Sequence, residues 1–557
     1  MAQVIGIDLG TTNSVVATLD EGEPWIITDE EGNELLPSCV GLDADGKLLV
    51  GRAALNQYAA APDRTVRSIK RQMGTDHVTT LGDRTYSPQE ISAIILRSLK
   101  ERAELMLEDT VTQAVVTVPA YFTDAQRQAT KEAGEIAGLE VLQILNEPTA
   151  AALTYDSQDP DTTEKVLVYD LGGGTFDVSI VEITGDMTEV LATKGNSRLG
   201  GDDFDRRLQL HLQHRFHEEN GSPLPKDPSI EARLLRAAET AKIGLSSHAY
   251  VTVREGFLGR EGAKALHLET EISRETFETL IRSLLEGTLT LIDQALEDAK
   301  LTADDLDRVI LVGGSTRIPL VRQLVAEHLG QEPNATVQPD LCVALGAAMQ
   351  AGMMTGAAVS AILVDVTPHS LGIATAQITP MGVNSNIFST IIPRNTTIPT
   401  SQSELYSTMS PNQKVVEIEV FQGENPRANE NVPLGTFTLE DLPSLPAGEV
   451  TVEVNFDFDI NGILTVTATE KSQGQQKSLE VGGLETSRLS SAEIEQSRSR
   501  LDELFMSPKE MQEWIAQAGL EDAMAVDVAD LEDADSAISP NAEAMEPLTL
   551  DVESEDS

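Results

Sequence analysis

The stretch VYDLGGGTFDVS, residues 168–179, places Asp170 and Asp177 on either side of three consecutive glycines. The surrounding residue types are typical of strands, which predicts a hairpin with a glycine turn. Glycine adopts positive φ and has no side chain, so backbone N–H groups in such a turn can closely approach an anion. Two carboxylates would repel a phosphate there unless a cation lay between them, and Mg²⁺ usually bridges carboxylates and nucleotide phosphates. The stretch therefore predicts a site for a nucleotide with Mg²⁺.

A similar stretch, IGIDLGTTNSVVA, occupies residues 5–17. Asp8 ends the predicted first strand, residues 10–13 form the turn, and Thr11 and Thr12 add hydroxyl donors. Two such hairpins indicate an internal duplication with a phosphate chain held between its halves. A third stretch, DRVILVGGSTRIPLVRQLVAEHLG at residues 307–330, predicts a strand, the pair Gly313-Gly314, and then a helix whose N-terminus favours negative charge.

The order of these three stretches is more specific than any one of them. A single glycine-rich hairpin is usually only a turn, but two such hairpins followed by a strand, a glycine pair and a helix are hard to explain as turns alone. The sequence contains no G-x-x-x-x-G-K-[ST], which excludes a P-loop. It also contains no strand-linked G-x-G-x-x-G, so a dinucleotide-binding Rossmann fold has no support.

The chain of 557 residues is predicted to form two to four domains, because a single hydrophobic core does not grow to that size. Up to about residue 358, strand-like and helix-like segments alternate, which is the pattern of an α/β fold. One helix is predicted from Thr123 and Gln126, which have capping-box spacing, to Gly138. Residues 368–482 instead alternate apolar and polar, which predicts a separate antiparallel β module with a tight hairpin turn at Asn461-Gly462.

Two short regions flank the β module. AILVDV, residues 361–366, has the apolar pattern of the module's first strand, and this is the interpretation that the sequence favours. Alternatively, it is an interdomain segment that docks in one state and is released in another. After the module, SSAEIEQSRSRLDELF has helical spacing, and a second short helix is predicted from Ser507-Pro508. The apolar face of that second helix would consist of Met511, Trp514, Ile515 and Ala518.

The composition is strongly acidic, with a net charge of −50 from 90 acidic and 40 basic residues. Residues 521–557 contain thirteen of the acids and no Lys or Arg, which predicts a disordered tail. Such a charge repels phosphate backbones and argues against nucleic acid as a partner. No apolar run is long enough to cross a bilayer and no signal peptide is evident, which argues against a membrane protein. Cys39 and Cys342 lack metal-ligand spacing and are expected to be reduced thiols of a cytoplasmic protein.

Six motifs, taken in order, resemble those of the DnaK-type heat-shock 70 chaperone family. They are GIDLGTTNS, VTVPAYF (116–122), LNEPTAAAL (145–153), YDLGGGTFD, LGGDDFD (199–205) and VGGSTRIP (312–319). DVTPHSLGI (365–373), RNTTIPT (394–400) and DINGIL (459–464) extend the resemblance through the β module. The closing pieces NTTIPTSQSELYSTMSPNQ and IEQSRSRLDELFMSPKEM are most similar to the short bacterial HscC type.

The resemblance implies a multidomain architecture and an ATP-dependent chaperone activity. Residues 1–358 would form an α/β ATPase domain of the actin/sugar-kinase type, with two lobes around a cleft. Residues 359–367 would be the interdomain linker, and residues 368–482 an antiparallel β-sandwich that binds peptides. A truncated helical lid would occupy residues 483–519, followed by the acidic tail at 520–557.

The resemblance also implies catalytic residues. Asp8, Glu147, Asp170 and Asp177 match the acidic cluster that organises Mg²⁺ and its waters around ATP or ADP, with Asp8, Glu147 and Asp170 as the expected metal-binding residues, mostly through water, and with K⁺ as a candidate further ion. Lys70 matches the lysine that positions the attacking water and balances the γ-phosphate charge, whereas a lone lysine would otherwise be a solvated surface residue. The implied catalytic set is Lys70, Glu147, Asp170, Thr175 and Asp177.

Further residues would hold the nucleotide and transmit its state. The implied nucleotide-binding set, besides Asp8, is Gly10, Thr11, Thr12, Asn13, Gly172, Gly173, Gly174, Gly200, Gly201, Glu239, Lys242, Ser246, Gly313, Gly314, Arg317 and Asp340. Without the resemblance, Glu239 and Lys242 would be interpreted as an exposed helical ion pair of little energetic value. The residues implied in transmission are Pro119, Arg127, Ile362, Leu363, Val364 and Asp365.

In the β module, the resemblance implies a hydrophobic peptide cleft. Its residues would be Ile373, Tyr406, Val416, Ile418 and Ile463. Alone, each would be interpreted as a core residue of a sandwich. Ala376 and Met409 would arch over the peptide, although the loop after Ala376 is longer than in the DnaK pattern. An extended peptide would gain backbone hydrogen bonds and the burial of one or two apolar side chains.

The expected partners are unfolded or client polypeptides, a nucleotide exchange factor and a J-domain co-chaperone. Gln143 weakens the last expectation, because the family commonly has an arginine there that helps to dock J-domains. Two other interpretations stay open. A small-molecule kinase of the same actin-like fold would need a substrate pocket with a base and would have no reason to carry the β module. A non-enzymatic binding partner would use the ATPase fold as a static scaffold. The retention of Lys70, Thr175 and Asp177 argues against this second interpretation.

Overall fold

The computed structural model describes residues 3–154, 162–185, 187–261, 263–334, 338–356, 362–379, 382–481 and 489–505. Met1–Leu501 form one compact unit, and Asp502–Ser557 form a second, of which only residues 502–505 are described. The helix predicted from Ser507 and the acidic tail therefore lie outside the described residues. None of the described helices combines the length and the apolar character needed to cross a membrane.

The first part of the chain forms a sheet around the N-terminal hairpin, and we call this part lobe A. Its strands are β1 (Gln3–Asp8), β2 (Asn13–Asp20), β3 (Glu23–Ile26), β4 (Leu36–Pro37), β5 (Cys39–Leu42), β6 (Leu48–Val50), β7 (Thr65–Arg67), β8 (Thr79–Leu81), β9 (Arg84–Tyr86), β10 (Val111–Val118) and β11 (Glu140–Asn146). Its helices are α1 (Arg52–Gln57), α2 (Pro88–Leu107), α3 (Asp124–Ile136) and α4 (Glu147–Leu153). The main sheet has the order β11-β10-β1-β2-β3, with β4 paired to β2.

The following part forms a second sheet around the VYDLGGGTFDVS hairpin, and we call it lobe B. Its strands are β12 (Thr163–Leu171), β13 (Phe176–Thr184), β14 (Met187–Asn196), β15 (Tyr250–Glu261), β16 (Lys264–Ser273) and β17 (Arg308–Val312). Its helices are α5 (Gly201–Asn220), α6 (Pro228–Ser247), α7 (Arg274–Ala299) and α8 (Pro319–Leu329). The next helix, α9 (Cys342–Met354), packs against β1 so closely that a Cβ on Gly6 would lie 2.1 Å from the Ala348 nitrogen.

The two main sheets repeat one plan. In each, a hairpin (β1–β2 or β12–β13) has a parallel neighbour, β10 or β17, beside its first strand. The two hairpin turns contact each other, since a Cβ on Gly173 would lie 2.0 Å from Thr12 Oγ1. The hairpins that the sequence predicts are therefore both present and meet at their turns.

The β module contains two antiparallel sheets. The strands from here on are β18 (Ile362–Val366), β19 (Leu371–Thr379), β20 (Gly382–Ile392), β21 (Thr397–Ile398), β22 (Thr400–Ser407), β23 (Val416–Gln422), β24 (Val432–Leu439), β25 (Thr451–Phe458), β26 (Leu464–Glu470) and β27 (Gln476–Val481). The sheet orders are β20-β19-β23-β24 and β22-β25-β26-β27. Apolar side chains from both sheets form one buried cluster that includes Ile373, Ile418 and Phe456. The apolar residues of the alternating pattern therefore face this cluster, and the polar residues between them face the opposite side of each sheet.

β18 is not simply the first strand of the β module. It extends the sheet of lobe B, in which it is parallel to β14, and its other side pairs with β21. The sheet therefore has the order β17-β12-β13-β14-β18-β21 and contains strands from both parts of the chain. Because a five-residue apolar segment fits either sheet, its pattern could not decide between the two interpretations.

One local prediction is confirmed and another is wrong in detail. Asn461-Gly462 lies in a tight hairpin turn between β25 and β26, in which the Gly462 N–H donates to the Asp459 oxygen and the Asp459 N–H donates to the Ile463 oxygen, both at 3.1 Å. Asp459 Oδ1 also accepts the N–H groups of Asn461 and Ile463, and Gly462 has φ 73°. In lobe B, Gly313-Gly314 lead into a 3₁₀ turn, Gly314–Arg317, and α8 begins only at Pro319, so the pair is not at an α-helix N-terminus.

The helix predicted after the β module is present as α10 (Ser491–Asp502). Leu501 of α10 is fully buried. Arg500 Nη2 lies 2.5 Å from Oε1 of Glu90, a nearly inaccessible carboxylate at the start of α2. The helix therefore packs on lobe A, with an ion pair at the contact.

Candidate nucleotide-binding site

A cavity of about 550 Å³ lies between the lobes and is lined by both hairpin turns. The predicted site residues on its wall are Asp8, Gly10, Thr11, Thr12, Asn13, Lys70, Glu147, Asp170, Gly172, Gly173, Thr175, Glu239, Lys242, Ser246, Gly313, Gly314, Arg317 and Asp340. Four predicted residues are not on the wall: Gly174, Asp177, Gly200 and Gly201. The sequence therefore brings most of its candidate residues to one cavity, although they are spread over more than half of the chain.

The four exceptions lie behind the wall. A Cβ on Gly200 would lie 2.5 Å from the Gly173 carbonyl carbon, and one on Gly174 would lie 2.8 Å from the Thr11 side chain. The Gly201 N–H donates to the Gly172 oxygen at 3.0 Å. Because these three glycines have no side chains, the glycine turn of lobe B can pack closely against its neighbouring segments. Asp177 accepts the backbone N–H groups of Ala120 and Tyr121 at 3.1 and 3.2 Å and does not reach the cavity. Its contacts are those of a positioning residue.

Three carboxylates and one ammonium meet at the centre of the cavity. Asp8 ends β1, Asp170 lies near the end of β12, and Glu147 begins α4. Lys70 Nζ is 2.5 Å from Glu147 Oε1, and both side chains are almost completely buried. Burial, followed by the nearby Glu147 charge, raises the pKa of Asp8 to about 7 and raises the pKa of Asp170 well above its usual value. The cluster is therefore short of positive charge.

The residues present fit a hydrated Mg²⁺. Asp170 Oδ2 is buried and has no hydrogen-bond partner among the described residues, so it is an oxygen in need of a cation or a water. No three acidic, histidine or cysteine side chains in the described parts of the chain converge closely enough to hold an ion directly. A Mg²⁺ ion retains several waters and binds through one or two carboxylates together with phosphates, which matches a set of well-separated oxygen ligands.

The lining of the cavity combines the two hairpin turns with residues of α6. The turns supply backbone N–H groups and the Thr11 and Thr12 hydroxyls, which suit phosphates. One face of α6 contributes Glu239, Lys242 and Ser246 to the wall. Glu239 and Lys242 do not pair with each other, contrary to the interpretation as a helical ion pair. Instead, each contacts a side chain from another element.

Lys242 and Arg317 are both paired with acids. Lys242 Nζ is 2.8 Å from Asp205 Oδ2, and the Arg317 guanidinium donates to Asp340 Oδ2. Burial raises the pKa of Asp205 to about 7, although the Lys242 charge opposes the shift. Gly314 leaves room beside Asp340, since a Cβ there would lie 2.9 Å from Asp340 Oδ1.

Sequence reasoning missed Arg67 and Ile243, which also line the cavity. Arg67 Nη2 is 2.7 Å from Glu239 Oε2. Ile243 lies on α6 and is 64% exposed. No local sequence pattern pointed to Arg67, because its partner Glu239 lies 172 positions away in the chain.

A chain of hydrogen bonds runs from Asp177, behind the cavity wall, to β18. Asp177 holds the turn at residues 120–121, and Arg127 donates to the Ala120 oxygen and to Asn146 Oδ1 at 3.0 and 2.6 Å. Asn146 Nδ2 in turn donates to Asp365 Oδ2 at 2.8 Å. Asn146 directly precedes Glu147 in the chain. The residue that bonds β18 is therefore the sequence neighbour of a carboxylate on the cavity wall.

The remaining predicted transmission residues lie around this chain of bonds. Pro119 is buried, and its carbonyl oxygen accepts the Phe122 N–H in the same turn. Thr149 Oγ1 adds a second bond to Asp365 at 3.2 Å. Of the apolar positions of β18, Ile362 is 63% exposed, and Leu363 and Val364 are half-buried. Asn146 and Thr149 were not predicted, although both belong to the LNEPTAAAL motif.

The predicted peptide-cleft residues have mixed environments. Ile373, Ile418 and Ile463 are buried, whereas Tyr406 and Val416 are half-buried against the same core. The Tyr406 hydroxyl bonds Ser389 Oγ at 3.0 Å. Ala376 is exposed at an irregularity in the pairing of β19 with β20, and Met409, after β22, is half-buried. Ile373 and Ile418 are thus core residues of the module in this arrangement.

Gln143 is not a surface residue. Its side chain is 4% exposed, and its Oε1 accepts a hydrogen bond from Gln350 Nε2 at 2.7 Å. It lies on β11, and Gln350 lies on α9. The side chain is thus engaged within the protein, besides lacking the positive charge discussed above.

A comparison with protein-family models gives one match that extends over nearly the whole chain. The model described as Hsp70 protein matches residues 4–81 and 76–554. The match covers both hairpins, the cavity residues, β18 and the β module.

Proposed function

The chain belongs to the Hsp70 family, whose members are ATPases with a chaperone function, and from this premise we propose that it binds and releases extended hydrophobic segments of client polypeptides in an ATP-dependent cycle. ATP would be hydrolysed to ADP and phosphate in the cavity between the lobes. The nucleotide state would be transmitted through β18 to the β module, where it would set the affinity for peptide.

The observation that carries this proposal is the position of β18. The segment is a strand of the lobe B sheet, and its Asp365 is bonded to Asn146, the neighbour of Glu147. A ligand that moves Glu147 would therefore act on the residue that holds the linker. Burial raises the pKa of Asp365, while the N–H of Val366 and the charge of Arg127 oppose the shift. An acid in such a site depends on its partners, which makes the docking of β18 sensitive to small displacements.

Hydrolysis would depend on the charges at the centre of the cavity. Bound Mg²⁺ would supply positive charge that offsets the carboxylates and the phosphates. Lys70, held by Glu147, would orient the attacking water and balance the charge of the γ-phosphate. Thr175 lines the same cavity and offers a hydroxyl, and Asp177 would keep the turn at residues 120–121 in place.

A second contact supports coupling between the ATPase part and the β module. Asp298 of α7 lies 2.8 Å from Lys194 Nζ of lobe B and 2.7 Å from Arg394 Nη2 of the β module. Asn395 Nδ2 adds a bond to the same carboxylate at 2.9 Å. Burial would raise the pKa of Asp298, but the hydrogen bonds from Arg394 and Lys194 lower it well below its usual range. The carboxylate is thus charged at neutral pH and holds both parts together.

The proposal can be tested by measuring how fast a labelled, extended hydrophobic peptide dissociates in saturating ATP and in saturating ADP. We expect ATP to accelerate dissociation by about tenfold or more, the size of a coupling of 1–3 kcal/mol. Asp365→Ala should remove most of this difference, because it deletes the acceptor for Asn146 and Thr149. Asp76→Ala, at an exposed loop position of lobe A, is the matched control and should behave like the wild type.

The same measurements separate the proposal from the two other interpretations. A small-molecule kinase would show equal peptide lifetimes in ATP and ADP. A static scaffold would not convert bound ATP to ADP in a single turnover. Either result would overturn the proposed cycle.

Several finer features belong to the proposal as well. The site would use ATP and ADP with Mg²⁺, with K⁺ as a further candidate ion, in a cytoplasmic protein. A nucleotide exchange factor would be the expected partner. A J-domain partner would have to dock without a charge at position 143, where Gln143 is bonded to Gln350. Membership of the HscC type and the shortened lid stay predictions from the sequence.

A further inference from the structure

A second cavity, of about 320 Å³, lies between lobe A and the β module. Lobe A contributes Tyr121 and Thr123, which precede α3, and the β module contributes His369 and residues 422–425 and 430–432. This cavity shares no lining residue with the nucleotide cavity. Its volume lies at the lower end of the range of small-molecule sites, which is about 300–1,000 Å³. A ligand in it would contact both parts of the protein at once.

One buried side chain of this second cavity lacks a hydrogen-bond partner. Gln422, the last residue of β23, lines the cavity and is only 4% exposed. Its Oε1 atom is buried and accepts no hydrogen bond from any of the described residues. An unpaired buried acceptor costs about 1–3 kcal/mol, and a ligand that donates a hydrogen bond recovers this cost. The cavity therefore favours a ligand that carries a donor.

The charges of the lining favour a cation. Glu424 and Glu430 line the cavity, and none of its described lining residues is a lysine or an arginine. The two carboxylates pair with Arg394 and Arg427, which lie outside the lining, but a carboxylate has about four lone-pair sites and can accept further bonds. Burial would raise the pKa of Glu424, but the hydrogen bonds from Ser370 and Arg394 lower it, so this carboxylate is charged at neutral pH.

A primary ammonium group meets both requirements, because it carries a positive charge and three donors but no acceptor. The rings of Tyr121 and His369, whose centres are 4.1 Å apart, offer apolar surface to an alkyl chain attached to that group. The net charge of −50 also attracts small cations to the protein. A short aliphatic diamine would match the two carboxylates with two positive charges.

We propose that this second cavity binds a short aliphatic diamine, with the Gln422 amide oxygen as an acceptor for one ammonium group. The bound diamine contacts lobe A and the β module together. Because it binds only where the two parts are docked, it raises the population of the docked arrangement. The inference goes beyond the proposed function, since it adds a small-molecule site that is separate from the nucleotide and peptide sites.

The test is calorimetric titration of the full-length protein, free of nucleotide, with putrescine at physiological salt. We expect saturable binding to the wild type. Gln422→Leu should weaken it by about tenfold or more, because the variant fills a similar volume but removes the acceptor. Gln422→Glu retains an acceptor and should bind putrescine at least as tightly as the wild type. The four-carbon diol of the same length has no charge and should not bind measurably.

Gln476→Leu is the matched control. Gln476 is exposed on β27, is not on the cavity wall, and its replacement leaves the net charge unchanged, as Gln422→Leu does. We expect this variant to bind putrescine like the wild type. Equal affinity of the wild type and Gln422→Leu would show that the diamine is attracted only to the acidic surface, and that result would overturn the inference.

Fluorescence energy transfer between one dye on lobe A and another on the β module tests the effect on docking. Putrescine should raise the docked fraction of the wild type and of Gln476→Leu, but not that of Gln422→Leu. Binding without any change in energy transfer would overturn the inference that the diamine bridges the two parts. Neither measurement uses ATP or a client peptide, so the proposed cycle can fail separately. Equal peptide lifetimes in ATP and ADP would overturn that cycle and leave the diamine site in place.

Discussion

At Asp170, burial and the charges of Glu147 and Asp177 raise the pKa, and one carboxylate oxygen has no partner among the described residues. Lys70 compensates only part of this charge, because its ammonium is held by Glu147. The resemblance to the Hsp70 family was sufficient to single out these residues. It could not single out Arg67, since its partner Glu239 is 172 positions away and no local pattern links the two.

The first prediction concerns Asp170. Asp170→Asn keeps the size of the side chain but removes a charge needed to hold the cation, so we expect Mg²⁺-dependent ATP turnover to fall by about 100-fold. Steady-state phosphate release measures this. Asp305→Asn, on an exposed 3₁₀ turn of lobe B, is the matched control and should retain wild-type turnover. Unchanged turnover in Asp170→Asn would contradict the assignment of the cavity as the site of hydrolysis.

Single elements gain their roles from their neighbours. β18 has the composition of an ordinary strand, yet it joins the lobe B sheet on one side and β21 on the other. The helix α10 has a weakly apolar sequence, and only its packing on lobe A buries Leu501. Glu90 caps α2 through the Ser87 N–H and also faces Arg500, so one carboxylate serves the helix start and the contact with α10.

The second prediction concerns this contact. Arg500→Ala leaves the Glu90 carboxylate, which is nearly inaccessible to solvent, without its cationic partner, and we expect α10 to loosen on lobe A. Amide hydrogen exchange in residues 491–501 should accelerate by about tenfold. Arg282→Ala breaks an exposed pair with Glu286 at 3.9 Å and should leave exchange in α10 unchanged. Equal protection of α10 in the wild type and in Arg500→Ala would show that the pair does not hold the helix.

Across the molecule, the contacts that lobes A and B make with the β module are polar and spread over several sites. Asp298 meets Arg394 and Asn395, and Asn461 Oδ1 accepts the Ile144 N–H at 3.2 Å. His369 packs its ring against Tyr121, with 4.1 Å between ring centres. Charges from Glu424, Arg127 and Lys194 also act on His369. Polar contacts of this kind suit parts that separate and rejoin, because neither surface is strongly apolar when exposed.

The third prediction is a pH dependence of this docking. Burial lowers the pKa of His369 from 6.5 to about 4, so the docked form resists protonation while an exposed His369 does not. Protons therefore favour the separated form as the pH falls from about 6.5 toward 4, and docking should weaken by roughly 1–2 kcal/mol between pH 7 and pH 5. Fluorescence energy transfer between one dye on lobe B and another on the β module would measure the docked fraction at each pH.

His369→Leu is the comparison for that measurement, because it keeps an apolar side chain against Tyr121 but cannot take up a proton. Asp365, which bonds Asn146 and Thr149 at the docking contacts, also has a raised pKa, and this gives a dependence of the opposite sign. The difference between the wild type and His369→Leu isolates the histidine. A variant with the same pH profile as the wild type would exclude His369 as the cause.

The sequence by itself determined the two hairpins with their aspartates, the order of α/β and β segments, and the family, because each depends on local periodicity and on short motifs. It did not determine where β18 pairs or which side chains bond to Asp365. Nor did it determine that Asp177 lies behind the cavity wall while Arg67 lies on it. Only the tertiary structure decided these points, since hydrogen bonds and ion pairs between distant segments depend on how the sheets come together in space.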